Sequence, residues 1–259
     1  MLKLNSDKCH KSYGRPYHMH DNLISIIKEF SAINLDDRFV WDFPHYGLPA
    51  DVVMDLPKKN VFQKNIILKK RLQDHLPDKK KELEYWIIQA WGGIRRFEKN
   101  DKNDARIDAL YGQLAVRTLS GDFFGCISSL SKVASFFNPK KYAIYDARAT
   151  FSLNWLLLKS GATSGFFPVP SGRNTAITNY DIETIIRLKC GEGNNLFLKP
   201  TLAYFEYCKL LKELSVRIWN DAERQSMPYY LEMLMFVIGP KEIVSDMKKS
   251  INIEICPCA

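Results

Sequence analysis

The residues best suited to chemistry lie in one stretch, residues 128–150. Lys132 lies there in a predicted short helix that serines open, and a Pro-containing turn and an extended segment follow it. Asp146 comes directly before the next predicted helix. A carboxylate at that position accepts N–H bonds from the first helical turn and interacts with the positive helix end, which favours its ionised form. Asp146 is therefore predicted to be a fixed negative charge, or a helix cap with no further role.

This stretch resembles the helix-hairpin-helix DNA glycosylase superfamily, and within it the bacterial relatives of the 8-oxoguanine DNA glycosylase fold. Lys132-Val133-Ala134 is similar to the start of the helix that carries the catalytic lysine, and Ile144–Arg148 is similar to the loop that delivers the catalytic aspartate. Three more segments are similar to motifs of these bacterial proteins: Trp91–Phe97, Pro168–Asn174 and Tyr230–Phe236. The resemblance covers about residues 80–240.

The resemblance implies an enzyme that excises a flipped-out modified base from double-stranded DNA without a metal or other cofactor. Asp146 would stabilise the positive charge that builds on the sugar as the N-glycosidic bond breaks. Lys132 would attack C1′ and form a Schiff base, which permits strand nicking. Lys140 and Lys141 are alternative amines. A monofunctional enzyme in which Asp146 activates water is the alternative mechanism.

A flipped-out base needs aromatic rings to stack on and cationic side chains that hold the DNA beside them. The predicted base pocket consists of Tyr145, Trp91 and Phe167, although each ring also fits an ordinary core position. The predicted DNA contacts are Arg148, Arg173, Arg95, Arg96, Lys140 and Lys141.

Two departures from the superfamily leave a second function open. Ser128, Ser129 and Leu130 replace the hairpin glycines that expose backbone N–H groups to a DNA phosphate, and Lys132 and Asp146 are only fourteen residues apart. A catalytically inactive, basic DNA-binding protein of the same fold is therefore the alternative. The sequence does not decide which base is excised. The candidates are an oxidised guanine of the host genome and a hypermodified phage base, whose excision would serve antiphage defence.

A helical nuclease is a third, less favoured hypothesis, because no carboxylate pair has metal-binding spacing.

Apolar spacing predicts that the elements around these residues are mostly helices. The clearest stripe covers residues 107–115, with apolar side chains at i, i+3, i+4, i+7 and i+8. Further helices are predicted over residues 23–30, 61–76, 83–97, 151–158, 182–188, 204–218 and 229–238. Short alternations at residues 39–43 and 251–255 predict minor β-strands near the termini. Strands and helices do not alternate regularly, so a parallel α/β sheet is not expected.

Length and composition indicate a globular protein. The chain has 259 residues, of which 46% are hydrophobic and 25% charged, and these values exclude disordered and coiled-coil classes. We expect an N-terminal extension over residues 1–56, a helical glycosylase-like domain over residues 57–245, in one unit or two lobes, and a C-terminal tail over residues 246–259. A monomer is expected.

Charge, cysteine spacing and hydropathy indicate which partners, cofactors and cellular location to expect. The net charge of +8 is concentrated in residues 57–81, which hold nine basic and two acidic side chains. This run fits a solvated helix face or a DNA contact through Lys69, Lys70 and Arg71.

The six cysteines have no disulfide or metal-ligand spacing, so free thiols and no metal are expected. No apolar run approaches ~20 residues and no secretory signal is evident, so we expect a cytoplasmic protein without a membrane partner.

Overall fold

The protein is mostly helical in the computed structural model, which describes residues 21–161, 165–172, 174–191 and 196–252. Within these ranges no β-strand is present. The α-helices are α1 Asp21–Ser31, α2 Leu35–Arg38, α3 Ala50–Met54, α4 Val61–Arg71, α5 Glu82–Tyr85, α6 Asp101–Val116, α7 Gly121–Phe124, α8 Ile127–Phe137, α9 Ala147–Ser160, α10 Thr175–Thr178, α11 Ile182–Cys190, α12 Pro200–Ile218, α13 Ala222–Ser226, α14 Pro228–Ile238 and α15 Val244–Ser250. A 3-10 turn covers Leu72–His75, and π-helices cover Trp86–Trp91 and Gly239–Ile243.

The helices predicted from apolar spacing are present, with one shorter than predicted. Helix α6 buries Ile107, Leu110 and Leu114, which belong to the clearest apolar stripe. The helix predicted over residues 83–97 ends at Trp91, because Gly92 caps the π-helix and Gly93 follows with a φ of +65°. A positive φ is strained for residues other than glycine, so the chain leaves the helix at this point.

The strand predicted at residues 39–43 is not present. Its alternating aromatic side chains pack separately against helices instead of forming a sheet face. The Phe39 ring contacts those of Phe62 and Phe236, and the Phe43 ring contacts that of Trp86. The one β-bridge among the described residues joins Phe166 and Phe197. Ile253 and Ile255, in the second predicted strand, lie outside the described residues.

The chain ahead of Lys132 is helical and contains no hairpin loop at the serines. Helix α8 begins at Ile127, one residue before them. The backbone N–H groups of Ser129 and Leu130 donate to the carbonyl oxygen of Cys126 at 2.9 and 3.0 Å. These two donors are therefore used within the first helical turn and do not face a DNA phosphate.

Two groups of helices position the candidate catalytic residues. In the first group, α8 packs against α4, α6 and the π-helix that ends at Trp91. In the second, α9 packs most extensively against α14 and also contacts α1 and α11, while α12 packs against α1, α13 and α14. Lys132 belongs to the first group and Asp146 precedes α9 of the second.

Candidate active site

A cleft of about 1040 Å³ lies between the two groups of helices. The first group contributes lining residues between Trp91 and Arg106 and between Phe124 and Lys132. The second contributes Ile144, residues 146–148, residues 170–172, several residues of 174–178, and Glu232 and Phe236 of α14. The charged residue types among the described lining residues of the cleft are Arg96, Arg106, Lys132, Asp146, Arg148 and Glu232. This volume is at the upper end of the range for small-molecule sites.

Asp146 caps helix α9, as the sequence predicts, and lies half-buried in the cleft wall. Its Oδ1 atom accepts the backbone N–H of Ala149 at 2.8 Å. Burial raises the pKa of the carboxyl above its ordinary value, against the expectation that the helix N-terminus lowers it. The Lys132 ammonium, the Ala149 N–H and the Arg148 guanidinium oppose that shift. The carboxylate thus combines a fixed position with a partly desolvated environment.

Lys132 is the candidate amine that lies in the cleft. It is 7% exposed, and its Nζ donates to the carbonyl oxygen of Ser128 at 2.7 Å. Its aliphatic chain passes directly over Gly92: a Cβ at that position would lie 2.6 Å from Lys132 Cδ. The glycine therefore leaves the space that Lys132 occupies. Lys140 and Lys141, the alternative amines, are exposed and lie outside the cleft lining.

Glu232 is a cleft residue that the sequence analysis missed. It lies on α14 and is 3% exposed, yet it contributes to the cleft lining. Burial raises the pKa of its carboxyl to about 8, and the negative charge of Asp146 acts in the same direction, while Lys69 and Lys132 oppose it. A glutamate in the otherwise apolar run of residues 228–238 is the sequence signal that points to it.

Lys69 lies behind the cleft and was also missed as a buried charge. It is 1% exposed, and its Nζ donates to Ser135 Oγ at 2.7 Å. The ammonium also lies 4.7 Å from the ring centroid of Phe136 and 5.3 Å from that of Tyr229. Burial lowers the pKa of Lys69 to about 8, and the charge of Glu232 opposes this shift. The fold therefore gathers two lysines and two carboxyl groups in one buried cluster, although buried charges are costly.

Aromatic side chains form one wall of the cleft. Phe39, Trp41, Trp91 and Phe236 belong to the lining, and the ring centroids of Trp41 and Phe236 are 5.7 Å apart. Trp91, one of the rings predicted for the base pocket, therefore lines the cleft. Arg148, which was predicted to contact DNA, stacks on this wall with its Cζ 4.5 Å from the Phe236 ring centroid.

Tyr145 and Phe167 do not lie in the cleft lining, contrary to the predicted base pocket. Both are 0% exposed. Tyr145 packs among the rings of Phe124, Tyr204 and Tyr207, and its hydroxyl donates to the carbonyl oxygen of Pro168 at 2.7 Å. Phe167 packs against Tyr207. Both rings are core residues because their neighbours already cover them on all sides.

Asn65 holds the aromatic wall in place. Its side-chain N–H group donates to the Trp41 carbonyl oxygen, and its Oδ1 accepts the indole N–H of Trp91, both at 2.8 Å. Trp41 donates its own indole N–H to the Trp91 carbonyl oxygen at 2.8 Å. One buried amide thus fixes the two tryptophans relative to each other.

We expect Asn65→Leu to lower the free energy of unfolding by about 1–3 kcal/mol for each buried group that it leaves unpaired. The Trp91 indole N–H and the Trp41 carbonyl oxygen both lose a partner. Urea denaturation followed by tryptophan fluorescence measures the change. Gln63→Leu, at an exposed position of the same helix, is the control and should stay within ~0.5 kcal/mol of the wild type. Equal stability of the two variants would show that Asn65 does not hold this wall.

Some of the other residues predicted to contact DNA line the cleft and others do not. Arg96 is exposed and belongs to the lining, whereas Arg95 is exposed outside it. Arg173 lies outside the described residues. Arg106 was not predicted, yet it lines the cleft and donates to Asn103 Oδ1 at 2.9 Å. Arg96, Arg106 and Arg148 therefore place positive charge at the cleft.

Lys69, Lys70 and Arg71, in the basic run of residues 57–81, do not form a free cationic surface. Lys69 is buried in the charge cluster described above, so it cannot contact DNA. Lys70 pairs with Glu223 at 2.8 Å. Arg71 pairs with Asp51 at 3.2 Å and with Asp55 at 3.0 Å. The hypothesis that these three cations contact DNA together is wrong for Lys69, and ion pairs partly neutralise the other two.

Among the described helices, none combines the length and apolar character needed to cross a bilayer. No family model, curated protein or solved structure matches this chain.

Proposed function

We propose that the protein is a DNA glycosylase that hydrolyses the N-glycosidic bond of a modified base flipped out of DNA. The observation that carries this proposal is the presence of Asp146 and Lys132 in one cleft. The resemblance in the sequence assigns catalysis to the same two residues. They come from different helix groups, and Lys132 contributes to the electrostatic environment of Asp146.

The cleft offers what each step of base excision needs. A flipped-out base stacks on the wall of Trp41, Trp91 and Phe236, and the arginines at the cleft hold the flanking phosphates. Asp146 then faces the sugar and stabilises the positive charge that develops at C1′. Either water or the Lys132 amine attacks C1′ from this cleft.

The alternative, an inactive DNA-binding protein, is less consistent with the buried charges. Binding DNA requires cationic side chains at the surface and gains nothing from ionisable groups below it. Burying Lys69, Lys132 and Glu232 costs stability that apolar residues of similar volume would not cost. The ion pairs of Lys70 and Arg71 also reduce the cationic surface on which that function would depend.

A base-release assay tests the proposed function. Duplexes that carry one 8-oxoguanine, one hypermodified phage base or no modification are incubated with the protein, and free base is measured by mass spectrometry. We expect release from one modified duplex and none from the unmodified one. Binding to these duplexes without release of any base would instead support the inactive alternative.

The cleft arginines predict which cations govern affinity for DNA. Arg96→Ala should flatten the slope of log affinity against log salt concentration by up to ~0.9, because one phosphate contact is lost. Lys70→Ala is the control: this ammonium pairs with Glu223 and lies outside the cleft lining, so the slope should not change. Fluorescence anisotropy at several salt concentrations measures both slopes. A flatter slope in Lys70→Ala alone would place the DNA elsewhere on the protein.

A further inference from the structure

We propose that Glu232 is the acid that protonates the leaving base while Asp146 stabilises the sugar. This inference rests on the proposed function, since it assigns the second carboxyl group of the same cleft. It also defines the substrate class: neutral bases that leave poorly as anions and therefore need a proton.

The position of Glu232 suits contact with the base. Glu232 and Phe236 are four residues apart on α14, so they lie on the same helix face, and both belong to the cleft lining. Phe236 is half-buried, whereas Glu232 is 3% exposed and thus lies deeper. A base that stacks on the aromatic wall therefore presents its inner edge to the Glu232 carboxyl group.

One oxygen of Glu232 is left for a ligand. The backbone N–H of Ile144 donates to this carboxyl group, whereas Oε2 is buried without a hydrogen-bond partner among the described residues. A buried polar atom without a partner is costly and needs an explanation. A hydrogen bond between this oxygen and a bound base provides one.

Glu84 provides an internal comparison. It is also buried, burial also raises its pKa, and its Oε2 also has no partner among the described residues. Its Oε1, however, accepts the Tyr111 hydroxyl at 2.7 Å and the Asp78 N–H at 3.0 Å, and the residue lies outside the cleft lining. The two glutamates share burial, but Glu232 alone of the pair faces space that a ligand can enter.

Burial raises the pKa of the Glu232 carboxyl and so favours a proton on it at neutral pH. The charge of Asp146 ahead of α9 acts in the same direction, whereas Lys69 on α4 and Lys132 on α8 oppose this shift. Tyr207 and Cys208 on α12 interact with Glu232 as well. Since its pKa is about 8, the carboxyl group is mostly protonated at pH 7. Two carboxyl groups with different environments are the arrangement that glycoside hydrolysis uses for its acid and its charge-stabilising group.

Protonation of the leaving base by Glu232 is the same whether water or the Lys132 amine attacks C1′, and the step balances as follows with water as the second reactant. As the bond between C1′ and the base nitrogen breaks, its electron pair moves to the base, and Glu232 transfers its proton to a ring nitrogen or carbonyl oxygen of the base. The oxygen of water bonds to C1′, and the proton that this water releases returns to the Glu232 carboxylate. The products are the free base and a sugar with a hydroxyl group at C1′.

The pH dependence of base release tests this role. Single-turnover release is measured with a duplex that carries one 8-oxoguanine, for the wild type, Glu232→Gln and the matched control Glu84→Gln. The wild-type rate should fall as the pH rises through about 8, because Glu232 then loses its proton. Glu232→Gln should lower the rate at neutral pH by ~10²–10⁴-fold and remove this pH dependence. Glu84→Gln should keep both the rate and its pH dependence.

A second measurement does not depend on activity or on the choice of base. Infrared difference spectra of the protein alone should show a buried carboxyl group that ionises near pH 8 in the wild type and Glu84→Gln, but not in Glu232→Gln. A Glu232 that is already ionised at neutral pH would overturn the inference whatever the substrate is. Unchanged release by Glu232→Gln would also overturn it and would leave the proposed glycosylase function intact. The absence of release by the wild type would instead count against 8-oxoguanine as the substrate.

Discussion

Asp146→Asn is expected to reduce base release by at least ~10²–10³-fold while the protein stays folded. The amide still accepts the Ala149 N–H that the carboxylate accepts at 2.8 Å, since asparagine caps helices as well as aspartate does. The negative charge opposite the developing positive charge is lost, and removal of one such electrostatic interaction costs a rate factor of this size. Single-turnover release measures the rate, and circular dichroism measures the fold.

Asp181→Asn is the matched control for that experiment. Asp181 caps α11 in the same manner, by accepting the N–H groups of Glu183 and Thr184, but it lies outside the cleft lining. We expect this variant to release base at the wild-type rate. Release near the wild-type rate by a folded Asp146→Asn protein would show that Asp146 is only a helix cap.

Lys132→Gln is expected to abolish the covalent protein–DNA complex that borohydride traps during turnover. If the Lys132 amine attacks C1′, a Schiff base forms after base loss, and borohydride reduces it to a stable amine. Glutamine cannot form this bond, so no trapped species should appear on a denaturing gel. Lys140→Gln is the control and should retain the complex, because Lys140 is exposed outside the cleft lining.

Two other outcomes of the trapping experiment would assign the attack on C1′ to a different group. Base release without any trapped species would mean that Asp146 activates water and that the enzyme is monofunctional. A complex that persists in Lys132→Gln would assign the attack to another amine. Lys140 and Lys141, the alternative amines, would then be tested as Gln variants in the Lys132→Gln background.

Local patterns in the sequence predict much of this structure, because helices depend on short-range spacing. The apolar stripe of residues 107–115 predicts α6, and the position of Asp146 ahead of an apolar run predicts the cap of α9. Alternation at residues 39–43 predicts a strand wrongly, because rings that pack on separate helices produce the same pattern as rings on one face of a sheet.

The cleft was harder to predict because long-range packing determines which side chains face it. Ile144, Tyr145 and Asp146 follow one another in an extended segment, where successive side chains point to opposite sides. Ile144 and Asp146 therefore line the cleft, whereas Tyr145 enters the core. Lys69 and Glu232 come from distant helices, and no local pattern in the sequence shows that α4 and α14 bring their charges together.

The role of Asp146 can be measured without knowing the excised base, by comparing two duplexes that differ in one abasic sugar. One duplex carries a pyrrolidine, whose protonated ring nitrogen mimics the positive charge of the transition state, and the other carries a neutral tetrahydrofuran of similar shape. We predict that the wild type binds the pyrrolidine duplex at least ~tenfold more tightly, about 1.4 kcal/mol, and that Asp146→Asn binds both equally. Equal affinity of the wild type for the two duplexes would contradict a glycosylase site built around Asp146.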